Sequence, residues 1–239
     1  MAKGPLVVRF GESTLAPPHA GTVGSAEVEV ENAGTIAWDR RIALAYHWLD
    51  ERDNPIVWDG ERTPLPPLAP GESAVVQAEV RGPIPPGRYR FAFDVLSEHR
   101  AWFSELGGEL RSWPVEVAPR RGHHDADLPA WVAPSAEWDE RVAAAHADGY
   151  AIVAGAIDWN GGPFRRRPGA LAPYEPGPGR VPGFAHPLIC PSVMDGVALE
   201  RLPDVEGLPA YAAPFESEPW IYDGRIVLAA DPRRRSPSD

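Results

Sequence analysis

His123, His124, Asp125 and Asp127 bring four metal-ligand side chains into five consecutive residues. A structural metal site needs spaced ligand pairs brought together by folding, and this run has no such partners. It reads as a solvated linker, and no metal is assigned. Cys190 stands four residues after His186, the residue types of a nucleophile and its base. Neither lies in a family signature, and a lone cysteine with apolar flanks is usually buried and inert. No catalytic residue is assigned. Asp158, Trp159 and Asn160 place a carboxylate, an indole and an amide at the end of an apolar run. That set would suit a sugar, by hydrogen bonds beneath a stacking face, although a strand-ending turn with a core tryptophan is the leading explanation. Arg165, Arg166 and Arg167, with Arg180 beyond them, have the forked donors that clamp phosphate or another anion. A solvated loop is the competing explanation. Trp58, beside Asp59-Gly60, is the aromatic expected to be exposed. The ligand-binding candidates are therefore Trp58, Asp158, Trp159, Asn160, Arg165, Arg166 and Arg180. Asp195 and Asp223 are sufficiently explained as turn residues.

The elements that must position these groups follow from hydrophobic periodicity. Tyr89, Phe91, Phe93 and Val95 recur at period two after Pro86-Gly87, so one strand aims all four at a core. The break at 97–100 reverses the chain, and Trp102-Phe103 returns two more aromatics over the same core. A hairpin this aromatic needs a second sheet to cover it. Ala26, Val28 and Val30 alternate with Glu27, Glu29 and Glu31, the pattern of a half-buried antiparallel strand over 25–32. Ile42, Leu44, Tyr46 and Trp48 mark a strand over 42–50, with further strands expected over 6–10, 73–80 and 113–117. Residues 11–24 read as loop, and Asp59-Gly60 as a hairpin turn. Seven or eight short strands with turns about every 8–12 residues predict an immunoglobulin-like β-sandwich.

The run Asn32-Ala33-Gly34-Thr35 with Trp38, then Tyr46-His47-Trp48, Asp59-Gly60, Arg62-Thr63, Leu65-Pro66, Pro70-Gly71, Pro86-Gly87, Tyr89, Asp94 and Trp102-Phe103 resembles the four-tryptophan immunoglobulin-like domains. These occur in selective-autophagy cargo receptors and in bacterial proteins. The pattern is also similar to bacterial sandwich modules attached to glycan-handling and methyltransferase enzymes. The resemblance covers residues 5–118 and implies a binding or scaffolding module. It transfers no ligand-contacting residue, because the matching positions mostly build the core.

Beyond it, residues 119–134 read as a linker with an isolated Trp131. Ser135 as N-cap, Glu137, Asp139 and Glu140 in the first turn, and Gly149 past the end predict a helix over 135–148. Its buried face is expected at Trp138, Val142 and Ala145. A buried strand over 150–157 precedes a long Gly/Pro-rich loop, 158–186. Two hairpins are expected, a weak one at 193–197 and a strong one around Asp223-Gly224, with a frayed tail from 231. The fold class is thus mainly β, an N-terminal sandwich with a smaller C-terminal α+β segment over 135–230.

Bulk composition narrows the function. Lys3 is the only lysine and there are 29 prolines, the imprint of GC-rich coding in a bacterial-type protein. The formal net charge of -11 argues against a general nucleic-acid binder, which needs a basic face. A single cysteine excludes an intramolecular disulfide. No apolar run reaches membrane-spanning length, so no membrane span and a cytoplasmic location are expected. No cofactor is called for. The favoured function is non-enzymatic binding or scaffolding in glycan or cell-envelope metabolism, with a glycan or a protein as partner. The alternative is a carbohydrate-active enzyme or enzyme fragment with its site in the 158–186 loop. A third reading is an adaptor that takes a partner by strand addition at a sheet edge.

Overall fold

Strand periodicity organises the first of the two units in the computed structural model, which describes residues 4–122, 130–159, 188–189, 192–193, 200–205, 208–212 and 217–230. The units are Met1–Pro119 and Arg120–Asp239. In unit 1 the strands are β1 (Val8–Leu15), β2 (Val23–Asn32), β3 (Ile42–Leu49), β4 (Pro55–Val57), β5 (Thr63–Pro64), β6 (Ser73–Arg81), β7 (Gly87–Ser97), β8 (Ala101–Trp102) and β9 (Arg111–Val117). One antiparallel sheet has the order β1-β2-β6. The other centres on β3 paired with β7, with β4 and β5 on the free side of β3 and β8 and β9 on that of β7. This is the immunoglobulin-like sandwich.

The alternations read from the sequence face the core. Ala26, Val28 and Val30 of β2 are buried, as are Tyr89, Phe91, Phe93 and Val95 of β7 and Ile42, Leu44, Tyr46 and Trp48 of β3. Phe91 is the hub. Its ring meets Trp48 at 4.9 Å, Phe93 at 4.8 Å and Trp113 at 5.1 Å edge-on, and stacks on Tyr46 at 5.8 Å. Two polar tips tie the sheets together at one residue. The Trp48 indole N–H donates to the Arg81 carbonyl at 2.9 Å, and the Arg81 N–H donates to the Tyr46 hydroxyl at 3.0 Å. At the start of β7 the Tyr89 hydroxyl donates to the Pro85 carbonyl at 2.6 Å, a tyrosine corner; burial raises the Tyr89 phenol above its ordinary range.

Asn32 ends β2 fully buried. Its amide donates to the Ile36 and Leu68 carbonyls at 2.8 and 2.9 Å, and its oxygen accepts from the Gly34 N–H at 3.1 Å. Asn32→Ala deletes three bonds and leaves the buried Gly34 N–H without its acceptor, while the Leu68 carbonyl keeps the Trp38 N–H. The expected loss is about 3 kcal/mol, read as a lower urea midpoint with an unchanged slope; a loss under about 1 kcal/mol would show that packing alone holds the 33–38 segment.

Several expectations are corrected. Residues 11–15 are strand, not loop: Phe10 pairs with Val30 and Ser13 with Val28, so one extra residue bulges out and β1 continues. Asp59-Gly60 turns no hairpin. β4 and β5 both pair with β3, making one interrupted edge strand. The glycine is needed because a Cβ at Gly60 would lie 2.6 Å from the Tyr46 ring. Trp102 and Phe103 do not cover the same core. Phe103 is in it, edge-on to Trp38 at 5.7 Å, while Trp102 packs on the opposite face of the sheet with Ala43, Ala45 and Leu96. Consecutive strand residues alternate faces, so the two cannot share one.

Unit 2 contains β10 (Val132–Pro134), α1 (Trp138–Asp148), β11 (Ile152–Trp159), β12 (Leu188–Ile189), β13 (Ser192–Val193), β14 (Glu200–Val205), β15 (Leu208–Ala212) and β16 (Trp220–Ala230). A mixed sheet has the order β10-β16-β11-β13, and a second, antiparallel sheet the order β12-β15-β14. Residues 132–134, read as linker, pair with β16, and Trp131 is buried. The helix begins at Trp138, after Glu137 and not Ser135, whose hydroxyl makes no capping bond. Its buried residues are Trp138, Val142 and His146, spaced by four along one face, with Ala145 only half-buried. Asp223-Gly224 is not a hairpin turn either. β16 runs parallel to β11, and residues 223–226 bulge between the Ala154–Tyr222 and Ala156–Val227 pairs. Asp223 supports that bulge by accepting from the Arg225 backbone N–H at 2.9 Å and from its guanidinium at 2.5–3.0 Å. The guanidinium hydrogen bonds hold the Asp223 carboxyl down to about 2.

Candidate functional site

Because β3 alternates, the residues between its core positions point to the other face of the sheet. Those are Ala43, Ala45, His47 and Leu49, and all are buried. Three are apolar, so His47 is the exception. Register places it directly opposite Ala92 of β7, with Asp94 one same-face step along. The His47 ring is fully enclosed. Trp58 stacks on it at 4.0 Å and 11°, and Trp102 meets it edge-on at 4.7 Å and 63°. Its Nδ1 contacts the Trp58 carbonyl oxygen, and its Nε2 lies 3.5 Å from Asp94 Oδ2.

Asp94 is likewise fully buried. Its carboxylate accepts from the Val95 N–H at 2.7 Å, the Ser104 N–H at 3.3 Å and the Ser104 hydroxyl at 2.5 Å. A buried carboxylate is tolerable only with such a full set of donors. Each element has a clear task. The β7–β8 reversal brings Ser104 back to Asp94, and the interrupted edge strand carries Trp58 over His47. Arg62 pairs with Asp59, the residue after Trp58, at 3.0 Å and with Glu98 at 2.9 Å.

Serine, histidine and aspartate invite comparison with a nucleophile relay, and the wiring excludes it. A relay needs the hydroxyl bonded to a ring nitrogen. Here Ser104 donates to Asp94 instead, and both His47 nitrogens face other oxygens. The cluster is a rigid support for an aromatic lid. Trp58 is 38% exposed, and one face of its indole rests on His47. The Trp58 and Trp102 rings are inclined at 67°, which makes a single platform and not a coplanar pair.

Of the other candidates, Asp158 and Trp159 lie within β11, opposite Ala229 and Ala230, and not in a turn after it. Asn160, Arg165, Arg166 and Arg180 lie outside the described residues, as do His123, His124, Asp125, Asp127, His186, Cys190 and Asp195. Among the described residues no cluster of three or more His, Cys, Asp or Glu side chains could hold a metal. No described helix is long and apolar enough to cross a membrane. A depression of about 370 Å³ beside β7 and β9 carries Arg88 and Arg90 against Glu51 and Glu116, so its charges cancel. Arg90 is also held by Asp53 at 2.9 Å.

Sequence reasoning singled out Trp58 but missed His47, Asp94 and Ser104 as a unit. The available signal was Asp94 itself, a carboxylate in the middle of an otherwise apolar strand, where a charge is almost never buried without partners.

No protein-family model matches the sequence, and no curated protein is similar to it. Among solved structures, the CARDB domain of the PF1109 protein from Pyrococcus furiosus, in complex with di-metal ions, is similar over 49% of this chain and 92% of that one, at 16% identity and TM-score 0.32. A β-glucosidase from Listeria innocua in complex with isofagomine matches 47% of this chain at 18% identity and TM-score 0.31, and only 16% of its own length is covered. The putative ApaA protein from Bordetella pertussis matches 50% of this chain and 99% of its own, at 19% identity and TM-score 0.24.

Proposed function

We propose that this chain is a non-enzymatic binding or scaffolding protein whose sandwich presents Trp58 to a saccharide, in glycan or cell-envelope metabolism. The resemblance to four-tryptophan immunoglobulin-like domains is part of this reading. The observation that carries it is the Trp58 indole, part-exposed and stacked on His47. Sugar C–H groups pack on such a face, and an indole already fixed by a buried support loses little freedom on binding. Asp59, Arg62 and Glu98, joined by ion pairs, are the polar groups this reading assigns to the ring hydroxyls.

The test is calorimetric titration of the full chain with neutral and amino-sugar oligosaccharides. Trp58→Ala is expected to weaken the binding saccharide about tenfold or more without lowering the melting temperature by more than a few degrees. An unchanged affinity in that variant, or no heat with any saccharide, would refute the platform.

A further inference from the structure

Edge strands invite pairing with other chains, and proteins blunt them with prolines, bulges or short length. Unit 1 does so at three of its four edge positions. β1 carries a bulge between Phe10 and Ser13, β9 contains Pro114, and β4 and β5 are short pieces containing Pro55 and Pro64. β6 has none of these devices. It is nine residues long, lacks proline and lysine, and pairs with β2 in unbroken register from Arg81 to Ser73.

Which backbone groups of β6 face outward follows from its bonds. The Asn32 N–H donates to the Glu72 carbonyl and the Gly82 N–H to the Thr22 carbonyl, so the even-numbered residues bond β2. The Arg81 N–H and carbonyl point the other way, to Tyr46 and Trp48. By the same parity, Ser73, Val75, Gln77 and Glu79 aim their N–H and C=O groups away from β2, and these have no backbone partner among the described residues. The open row spans roughly 20 Å, enough for a strand of six or seven residues.

The outer face beside this row is acidic. Glu27, Glu29 and Glu31 of β2 and Glu79 of β6 lie there. Arg9 is paired with Glu31 at 2.5 Å, and Arg81, at the end of β6, lies 3.6 Å from Glu61. Val75, 65% exposed, is the apolar contact in the row.

We propose that the β6 edge of this sheet binds an extended peptide segment of a partner protein that carries basic side chains at alternate positions. The peptide continues the sheet antiparallel or parallel to β6, and its arginines or lysines lie over the glutamates. A second copy is disfavoured, because β6-to-β6 pairing would set two acidic faces side by side in a chain of net charge -11. This surface is separate from Trp58.

The experiment uses fluorescence anisotropy of a labelled octapeptide alternating arginine and valine, titrated with the full-length chain. Two control peptides are used, one N-methylated on the alternate amides that would face β6 and one with glutamate in place of arginine. Binding of the first peptide, weakened at least about tenfold by methylation and abolished by the charge change, is the expected result. Val75→Pro removes one outward N–H and no β2 bond, so it is expected to weaken binding about tenfold with the circular dichroism spectrum kept. Glu79→Lys should weaken it several-fold and flatten its salt dependence. Equal affinity for the methylated peptide would reduce the effect to adsorption of charge and overturn the proposal. So would the absence of binding, or a dimer in sedimentation that Val75→Pro dissolves.

Discussion

Phe91→Ala is expected to remove about 4 kcal/mol from unit 1, the upper part of the range for deleting a buried aromatic. Phe91 is fully buried and meets four rings within 6 Å, from both central strands and from β9. Truncation therefore leaves a cavity bounded by Trp48, Tyr46, Phe93 and Trp113, large rigid groups that cannot collapse into it without leaving their rotamers. The lost edge-on contacts add about 0.5–1.5 kcal/mol per pair to the transfer cost. In a unit of this size the loss lowers the melting temperature by roughly 20 °C, with the indole emission of Trp48 and Trp113 shifting red. Phe91→Leu, which refills most of the volume, should cost well under half as much. A Phe91→Ala loss below about 2 kcal/mol would mean that the core relaxes around the cavity and that Phe91 is not its hub.

Asp94→Ala is expected to destabilise unit 1 by about 3–5 kcal/mol, because it removes a fully buried acceptor shared by three donors. The Val95 N–H, the Ser104 N–H and the Ser104 hydroxyl lose their bonds, and His47 Nε2 loses the oxygen it faces. Asp94→Asn keeps one oxygen and the shape, so it should cost about 1–2 kcal/mol. The consequence reaches the surface, since His47 supports Trp58. Fluorescence quenching by acrylamide should show Trp58 more accessible in Asp94→Ala, measured against a Trp58→Phe background. If stability falls while Trp58 stays protected, the lid is held by the Arg62 ion pairs and not by the buried cluster.

Much of unit 1 was legible because its strands are half-buried or have one strongly apolar face. Glutamates alternate with Ala26, Val28 and Val30, and four large residues recur at period two in β7, so each strand declares its core face within a few residues. The helix end was equally local: Gly149 takes a positive φ of 122° just where the periodicity stops. The helix start was not. Ser135 has the chemistry of a cap, but the chain makes one more turn before Trp138, so a Ser-acidic pattern placed the boundary three residues early.

Both Asp-Gly dipeptides were misread for one reason. The pair favours tight local geometry, and a hairpin, a break in an edge strand and a bulge all use it. Tyr46 decides at Gly60, by lying where a side chain would go. Parallel pairing with β11 decides at Gly224, since it keeps β16 running in one direction across the irregularity.

What the sequence determined by itself is the fold class and the inward faces of β2, β3 and β7, because side-chain alternation is a property of a few neighbouring residues. It also marked Trp58 as an aromatic to expect at the surface. Tertiary structure decided what stands behind that indole and which edge is left open. His47 and Asp94 are 47 positions apart, and only the β3–β7 register brings them to one face. The outward groups of Ser73, Val75, Gln77 and Glu79 are defined by the absence of a covering strand among the described residues, a relation among strands that no local pattern contains. Faces are set by local stereochemistry; partners, register and edges are set by long-range pairing.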